Sequence, residues 1–275
     1  MTLQETTWDP TWDKIAPGYD AFVTPSHLWL GEEALRRAGL RAGMRFLDVA
    51  AGSGALSIPA ARRGAQVLAT DRSPTMIEHL DRRARQEGLN IETRVMDGHA
   101  LGLEDESFDL AGSQFGVMLF PDLPRALREM VRVTRPGGKV LMVTFGNPRQ
   151  IEFFSFFIRA IQAAVPGFTG PPLDPPPLPF QITDPEVFRR RMAEAGLRDI
   201  TIDATTERME FTSGKQLWDW LLGSNPLATM MTANLSPEQV EVVQGAMEQL
   251  IRERAGGNGV AILTAPIHIG VGTKD

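Results

Sequence analysis

Residues 46–57 read Phe46-Leu47-Asp48-Val49-Ala50-Ala51-Gly52-Ser53-Gly54-Ala55-Leu56-Ser57. A short apolar run carries a carboxylate, passes into a turn with two glycines one residue apart, and opens a helix. Glycine lets the backbone turn tightly and meet a ligand with no Cβ in between. The free N–H groups of a helix start can meet polar ligand atoms. Such a turn belongs at the carboxyl end of the first strand of a parallel sheet, where open α/β folds place their ligands. Asp48 narrows the chemistry. A carboxylate here suits a ligand carrying positive charge and is ill placed against an anionic pyrophosphate. Ser57 also stands where a dinucleotide fingerprint has its third glycine.

Val67 to Thr70 is a second apolar strand ending at Asp71, and Ser73-Pro74 supplies an N-cap and a first-turn proline. Ile91 to Met96 is a third strand, ending at Asp97-Gly98-His99. Phe108 to Ser113 and Lys139 to Phe145 are strands four and five, the latter after the turn Arg135-Pro136-Gly137-Gly138. Three carboxylates thus stand at the tips of three successive strands. Asp71 is placed to accept two ribose hydroxyls, and its competing reading is a partner for the next helix start. Asp97 is placed to accept from the exocyclic amine of a purine, against an ordinary turn carboxylate.

The flanks are less regular. A helix with Ser26 as N-cap is expected before strand one, ending at Gly39. After strand five, Phe153, Phe154, Phe156 and Phe157 crowd one helical segment, and residues 166–179 form a proline-rich loop of extended type. Asp184-Pro185-Glu186 caps a further helix. A sixth strand is expected over 197–202, helices near 215–222 and 236–254, and a last strand over 267–271. Strand–helix alternation of this kind predicts an α/β, Rossmann-like, doubly wound sheet of seven strands, mainly parallel, with helices on both faces.

Composition excludes several functions. The chain has 275 residues, no cysteine and a net charge of −6. Thiolate metal sites, disulfides and cysteine nucleophiles are ruled out, no metal is expected, and a nucleic-acid partner is disfavoured. Met1 to Pro10 lacks the basic start and apolar run of a signal peptide. No run of about 18 apolar residues exists, so no membrane span and a cytoplasmic protein are expected. A homo-oligomer stays open.

Taken together, Leu47–Gly54, Ala69-Thr70-Asp71-Arg72-Ser73-Pro74-Thr75-Met76, Met96-Asp97-Gly98-His99-Ala100-Leu101, Ser107-Phe108-Asp109 and Arg135–Val140 resemble the class I S-adenosylmethionine-dependent methyltransferases. The similarity is to the small-molecule branch called UbiE/Coq5-like. It covers about residues 40 to 145, with an Ala-Pro-Gly-Tyr-Asp pattern at 16–20. The resemblance implies S-adenosylmethionine as cofactor. Asp48, Ala50, Gly52, Ser53 and Gly54 would hold its methionine end, Asp71 with Arg72 its ribose, and Asp97, Gly98 and His99 its adenine. Met76 would pack on the adenine, Gln114 and Phe115 would line the sulfonium, and Tyr19 would reach the carboxylate from a lid helix. Ala50 departs from the family's usual glycine, a change that tightens the site without blocking it. The layout expected is a single methyltransferase domain, 1–275. Lid helices span 1–40, the cofactor-binding core 41–146, and acceptor-side lid elements 147–183 and 213–256.

The implied partner is a small, apolar or aromatic methyl acceptor. Phe153, Phe157 and Trp218 are its candidate contacts, with core packing as the competing reading for the aromatic cluster. Trp218 and Trp220 lie two apart on a helix, so at most one meets substrate. Only an acceptor with a bound proton needs a general base, and His27 is the candidate, against an exposed helix-start histidine. His79 is expected to face solvent, His99 to sit by the adenine and His268 to be structural. A catalytically inactive cofactor-binding sensor and, less favoured, an NAD-dependent oxidoreductase are the alternatives.

Overall fold

A computed structural model describes residues 11–172, 174–257 and 259–275. The stretch Met1–Pro10 lies outside them, and with it the reading of its leader signals. Seven strands form one sheet in the order β3-β2-β1-β4-β5-β7-β6. They are β1 (Arg45–Val49), β2 (Gln66–Asp71), β3 (Ile91–Val95), β4 (Phe108–Gln114), β5 (Thr134–Phe145), β6 (Leu197–Phe211) and β7 (Ala261–Lys274). The first five pair in parallel, and β7 runs antiparallel between β5 and β6. Strand order reverses beside β1, which pairs with β2 on one side and β4 on the other. That reversal opens a crevice at the strands' carboxyl tips.

The helices are α1 (Thr11–Gly18), α2 (Thr24–Ala38), α3 (Ser57–Arg62), α4 (Pro74–Gln86), α5 (Leu123–Val133), α6 (Glu152–Ala164), α7 (Pro185–Glu194), α8 (Gly214–Ser224), α9 (Pro226–Thr232) and α10 (Pro237–Ala255). Buried Phe46, Leu47 and Val49 of β1 meet Leu30, Ala34 and Leu35 of α2 and Leu127 and Met130 of α5 in one core. Expected ends are made by the expected chemistry. Ser73 Oγ accepts from the Met76 N–H, Asp184 accepts from two N–H groups of α7, and Gly39 closes α2 in the left-handed region.

Four expectations change. Ser26 is no N-cap: α1 runs through a π-helical turn, Tyr19–Val23, straight into α2, and Ser26 Oγ donates to the Val23 carbonyl. Helix α9 was not foreseen. The last two strands are far longer than 197–202 and 267–271. They form an antiparallel ribbon whose register shifts between Arg198 and Thr201. Finally, His79 is not solvent-facing, because Asp20 of the π turn engages it.

Candidate active site

The tips of β1, β2 and β4 bound a narrow cleft lined by Ala50, Gly52, Asp71, Arg72, Met76, Asp97, Gly98, His99, Gln114 and Phe115, and roofed by Tyr19. Ten of the expected cofactor residues and the lid tyrosine therefore meet in one place. Gly52, with φ +54°, is covered by the Tyr19 ring: a Cβ added there would lie 3.4 Å from Tyr19 Cε1. Ala50 and Phe115 face the same cleft, both with φ of 56°. A left-handed backbone costs a side-chain-bearing residue about 1–2 kcal/mol, and such strain gathers at binding sites. This is why glycine is the easier residue at position 50.

The three carboxylates do different things. Asp71 accepts from the Gly52 N–H and the Ser73 N–H, both at 2.9 Å, so each oxygen is oriented and keeps a further lone pair. Burial raises its pKa, against the opposing pull of those N–H groups and of Arg72. Asp97, two residues past β3, accepts from the His99 N–H and ring Nδ1, each at 2.9 Å. Burial works to raise its pKa, yet the His99 bonds and charge hold it below the usual carboxylate range. Asp48 is fully buried. Ser57 Oγ donates to its Oδ2 at 2.5 Å, while Oδ1 has no partner. Burial first, with the nearby Asp71 charge adding to it, pushes its carboxyl up to about 7.

Those features test S-adenosylmethionine against the site. An orphaned buried carboxylate oxygen and a second buried carboxylate beside it, with a glycine backbone between them, favour positive charge at this end of the cleft beyond what Arg72 supplies. A ligand carrying a sulfonium and an ammonium supplies it, so the residues fit the group. Ser57, in place of a third glycine, is used to hold Asp48 rather than to admit a pyrophosphate.

Three cofactor expectations are redrawn. Asp48, Ser53 and Gly54 are not cleft-lining residues. Asp48 and Ser53 stand behind the wall, and Ser53 Oγ shares a buried hydrogen bond, 2.5 Å, with Thr24 Oγ1 of α2. Gly54 is occupied by its own turn, where a Cβ would press on Ile58 and Leu80.

A second cavity of about 510 Å3 adjoins the cleft, sharing Trp12, Tyr19, Arg72, Phe115, Leu119 and Pro121 with it. Its other walls are Phe145, Phe153 and Phe154, the Pro177–Pro179 loop, Trp220, and the segment Ser224–Leu227. Phe153 lies in the wall as expected of a substrate contact, whereas Phe157 and Trp218 do not. They pack on each other, ring centroids 6.1 Å apart, inside the core. Trp220 takes the wall position instead, edge-on to Phe153 at 5.1 Å. His27 lines this cavity and is buried, so it is not an exposed helix-start residue. Its Nε2 lies 2.6 Å from Oε1 of buried Glu207 on β6. Nothing local in the sequence marks Glu207, because its partner is far away in the chain.

Comparison with known proteins agrees with this geometry. Residues 47–142 match a methyltransferase domain family. An uncharacterized protein of Mycobacterium tuberculosis is 42% identical over 116 residues, 42% of each chain, so the chain spans well under two thirds of that relative. The demethylmenaquinone methyltransferase of Renibacterium salmoninarum is 35% identical over 58% of this chain and 67% of its own. The ubiquinone/menaquinone biosynthesis C-methyltransferase of Bdellovibrio bacteriovorus is 36% identical over 57% and 69%. Among solved structures, the YcgJ protein of Bacillus subtilis shares the fold with a TM-score of 0.56 at 17% identity, over 90% of this chain and 97% of its own. With the three carboxylate positions at the tips of β1 to β3 and these relatives in hand, the chain belongs to the class I S-adenosylmethionine-dependent methyltransferases, in their UbiE/Coq5-like branch.

Proposed function

We propose that the protein transfers a methyl group from S-adenosylmethionine to a small, apolar or aromatic molecule held in the 510 Å3 cavity. The observation that carries this reading is the shared wall: Tyr19, Phe115 and Leu119 border both the carboxylate-lined cleft and the aromatic cavity. When bound, S-adenosylmethionine supplies an electrophilic methyl on a positive sulfur. Asp71 serves the ribose, Asp97 and the Gly98-His99 backbone the adenine, with Met76 against its ring. Asp48 acts from behind Gly52 as the counter-charge to the methionine end. Gln114 and Phe115 face the sulfur, and Arg72 closes the ribose side.

Catalysis in this reading is mainly positioning and desolvation. A cavity of this size suits a drug-sized apolar ligand. Its aromatic walls, with Phe153 and Phe154 buried, hold the acceptor against the donor and displace water as it binds, which can supply several kcal/mol of the barrier. Residues 11–40 serve as lid helices, and 147–183 with 213–256 as the acceptor-side lid.

Incubation with methyl-labelled S-adenosylmethionine and a panel of aromatic and aliphatic hydrophobic molecules, beside polar amino acids and sugars, tests the reading. Label is expected on hydrophobic aromatic members. Transfer confined to the polar members, or no transfer to any, overturns it.

A further inference from the structure

The wall of the aromatic cavity carries one feature that hydrophobic packing does not explain. His27 on α2 and Glu207 on β6 have side-chain exposures of only 6% and 1%. Their Nε2 and Oε1 atoms lie 2.6 Å apart but off the angle of a good hydrogen bond, and neither has another partner; His27 Nδ1 has none either. Burying an ionisable pair with spare bonding capacity is costly, and a well-packed apolar pair would serve stability better. The pair is also held in place. Gln114 Nε2 donates to the His27 carbonyl at 3.1 Å, and Glu207 sits in register with Ala265 inside the β6–β7 ribbon. The imidazole leans on Phe115, ring centroids 5.1 Å apart, and Phe115 borders both cavities. A nitrogen base therefore stands one ring away from the place where donor and acceptor meet.

We propose that His27 is the proton acceptor for a methyl acceptor bearing an acidic hydroxyl on an aromatic ring, with Glu207 as its positioning residue. The proposal rests on the methyl-transfer reading above. In the step, the methyl–sulfur bond breaks and its electron pair stays on sulfur, which becomes a neutral thioether. A lone pair of the hydroxyl oxygen forms the new bond to carbon, and the hydroxyl proton passes to imidazole. A neutral imidazole that keeps its proton on Nε2, toward Glu207, leaves Nδ1 free to accept. The imidazolium so formed is balanced by the Glu207 carboxylate and returns its proton to water when the ether leaves.

An acceptor of this class needs such a base. A phenol of ordinary pKa, near 10, is almost wholly neutral at neutral pH, and the neutral oxygen is a poor nucleophile. Its ring matches walls made of Phe145, Phe153, Phe154 and Trp220. Among the described residues, the other titratable groups on this cavity are Tyr19 and Arg72. Burial, followed by the charges of Asp71, Glu207 and Asp48, raises the Tyr19 pKa, so the tyrosine stays protonated and does not compete for the role.

The test uses the full chain loaded with S-adenosylhomocysteine and two probes, para-nitrophenol and its methyl ether, para-nitroanisole. The wild type is expected to bind both and to lower the titration midpoint of bound para-nitrophenol by about one pH unit or more, read from phenolate absorbance. H27A should abolish the shift, E207Q should remove most of it, and E207D should restore part. E207Q and E207D, which leave the cavity lining intact, should bind para-nitroanisole and S-adenosylhomocysteine within about twofold of wild type, less than the ~0.6 kcal/mol that thermal energy represents, whereas H27A also removes a wall ring and should bind para-nitroanisole more weakly but measurably. A phenolate shift that survives both H27A and E207Q, with para-nitroanisole still bound, overturns the base assignment and leaves the aromatic cavity standing. Failure of the wild type to bind either probe overturns the cavity reading, and the base assignment falls with it.

Discussion

Gly18, the last residue of α1, rests against Gly223, near the end of α8: a Cβ on Gly18 would lie 2.3 Å from the Gly223 carbonyl oxygen. Helices α1 and α8 thus meet backbone to backbone. One flank of that junction is Tyr19, which roofs the cofactor cleft, and the other leads to Ser224 and Asn225 in the cavity wall. G18A must push the two apart. Overpacking of this kind costs about 1–3 kcal/mol. The expected result is a lower thermal midpoint together with S-adenosylhomocysteine binding weakened on the order of tenfold, although residue 18 touches neither cavity. Calorimetric titration of the variant checks it, and unchanged affinity would separate the junction from the cleft.

A second fastening holds the same roof. Asp20 accepts from His79 Nδ1 at 2.8 Å and from Arg83 Nη2 at 2.5 Å, both on α4, while Asp13 accepts from Ser73 Oγ. Burial would raise the Asp20 pKa, but the Arg83 and His79 hydrogen bonds and charges outweigh it and hold the carboxyl below its ordinary value. A depressed carboxyl contributes stability that is present above the unfolded value, about 3.9. It is lost as pH falls through the lower folded value. D20N should therefore lose about 1 kcal/mol at neutral pH, allowing for partial exposure, and the gap to wild type should close in acid. Release of S-adenosylhomocysteine should quicken several-fold, since the roof must lift to let it go. Stopped-flow displacement measures the rate, and thermal melts across acid pH measure the gap.

Asp48 carries the opposite sign. Its carboxyl sits at about 7 in the folded chain, against about 3.9 unfolded. Between those values the folded state binds more protons, so the ligand-free protein loses stability as pH rises through the window. D48N removes the buried charge and keeps the shape. Its ligand-free form should melt higher than wild type at about pH 8 and nearly level with it at about pH 4. Affinity for S-adenosylmethionine should fall on the order of tenfold or more, because the counter-charge is gone. A variant that melts lower than wild type at about pH 8 would show that the carboxylate is already satisfied without ligand.

The cofactor half of this architecture was legible because its signals are local. An apolar strand ends in a carboxylate, a glycine turn or an N-cap follows, and the helix start lies a few residues on. Asp71 and Asp97 are readable from their distance to a strand end, whereas Met76 and Gln114 follow only from the family resemblance. The π turn could not be read, since Pro17 and Gly18 look like a helix break and only packing against α4 and α8 carries the helix through them. The β6–β7 ribbon was read short for a related reason. One face of β6 is exposed over its second half, with Ala204, Thr206, Arg208 and Glu210 in it, and the strand begins with charged Arg198 and Asp199, so no apolar run announces a strand. Glu207 was hidden inside that polar pattern. It is buried against His27 of α2, a contact no window of sequence contains.

The same distinction separates two tryptophans on α8. Trp218 packs on Phe157 in the core, and Trp220, two positions on, turns to the cavity beside Phe153. Residues two apart on a helix diverge by more than half a turn, so one substitution probes packing and the other probes the acceptor wall. W218L should leave a void beneath α6 and lower stability by about 2–4 kcal/mol. Molecules still folded should bind para-nitroanisole as wild type does. W220L should cost less stability, about 1–2 kcal/mol, yet weaken para-nitroanisole on the order of tenfold, since an aromatic wall residue is lost from the contact. Melting curves and probe titration on the two variants decide between these outcomes. If the two exchange roles, with W218L losing the probe and W220L losing the fold, the acceptor faces the other side of α8 and the aromatic cavity is not where the methyl is received.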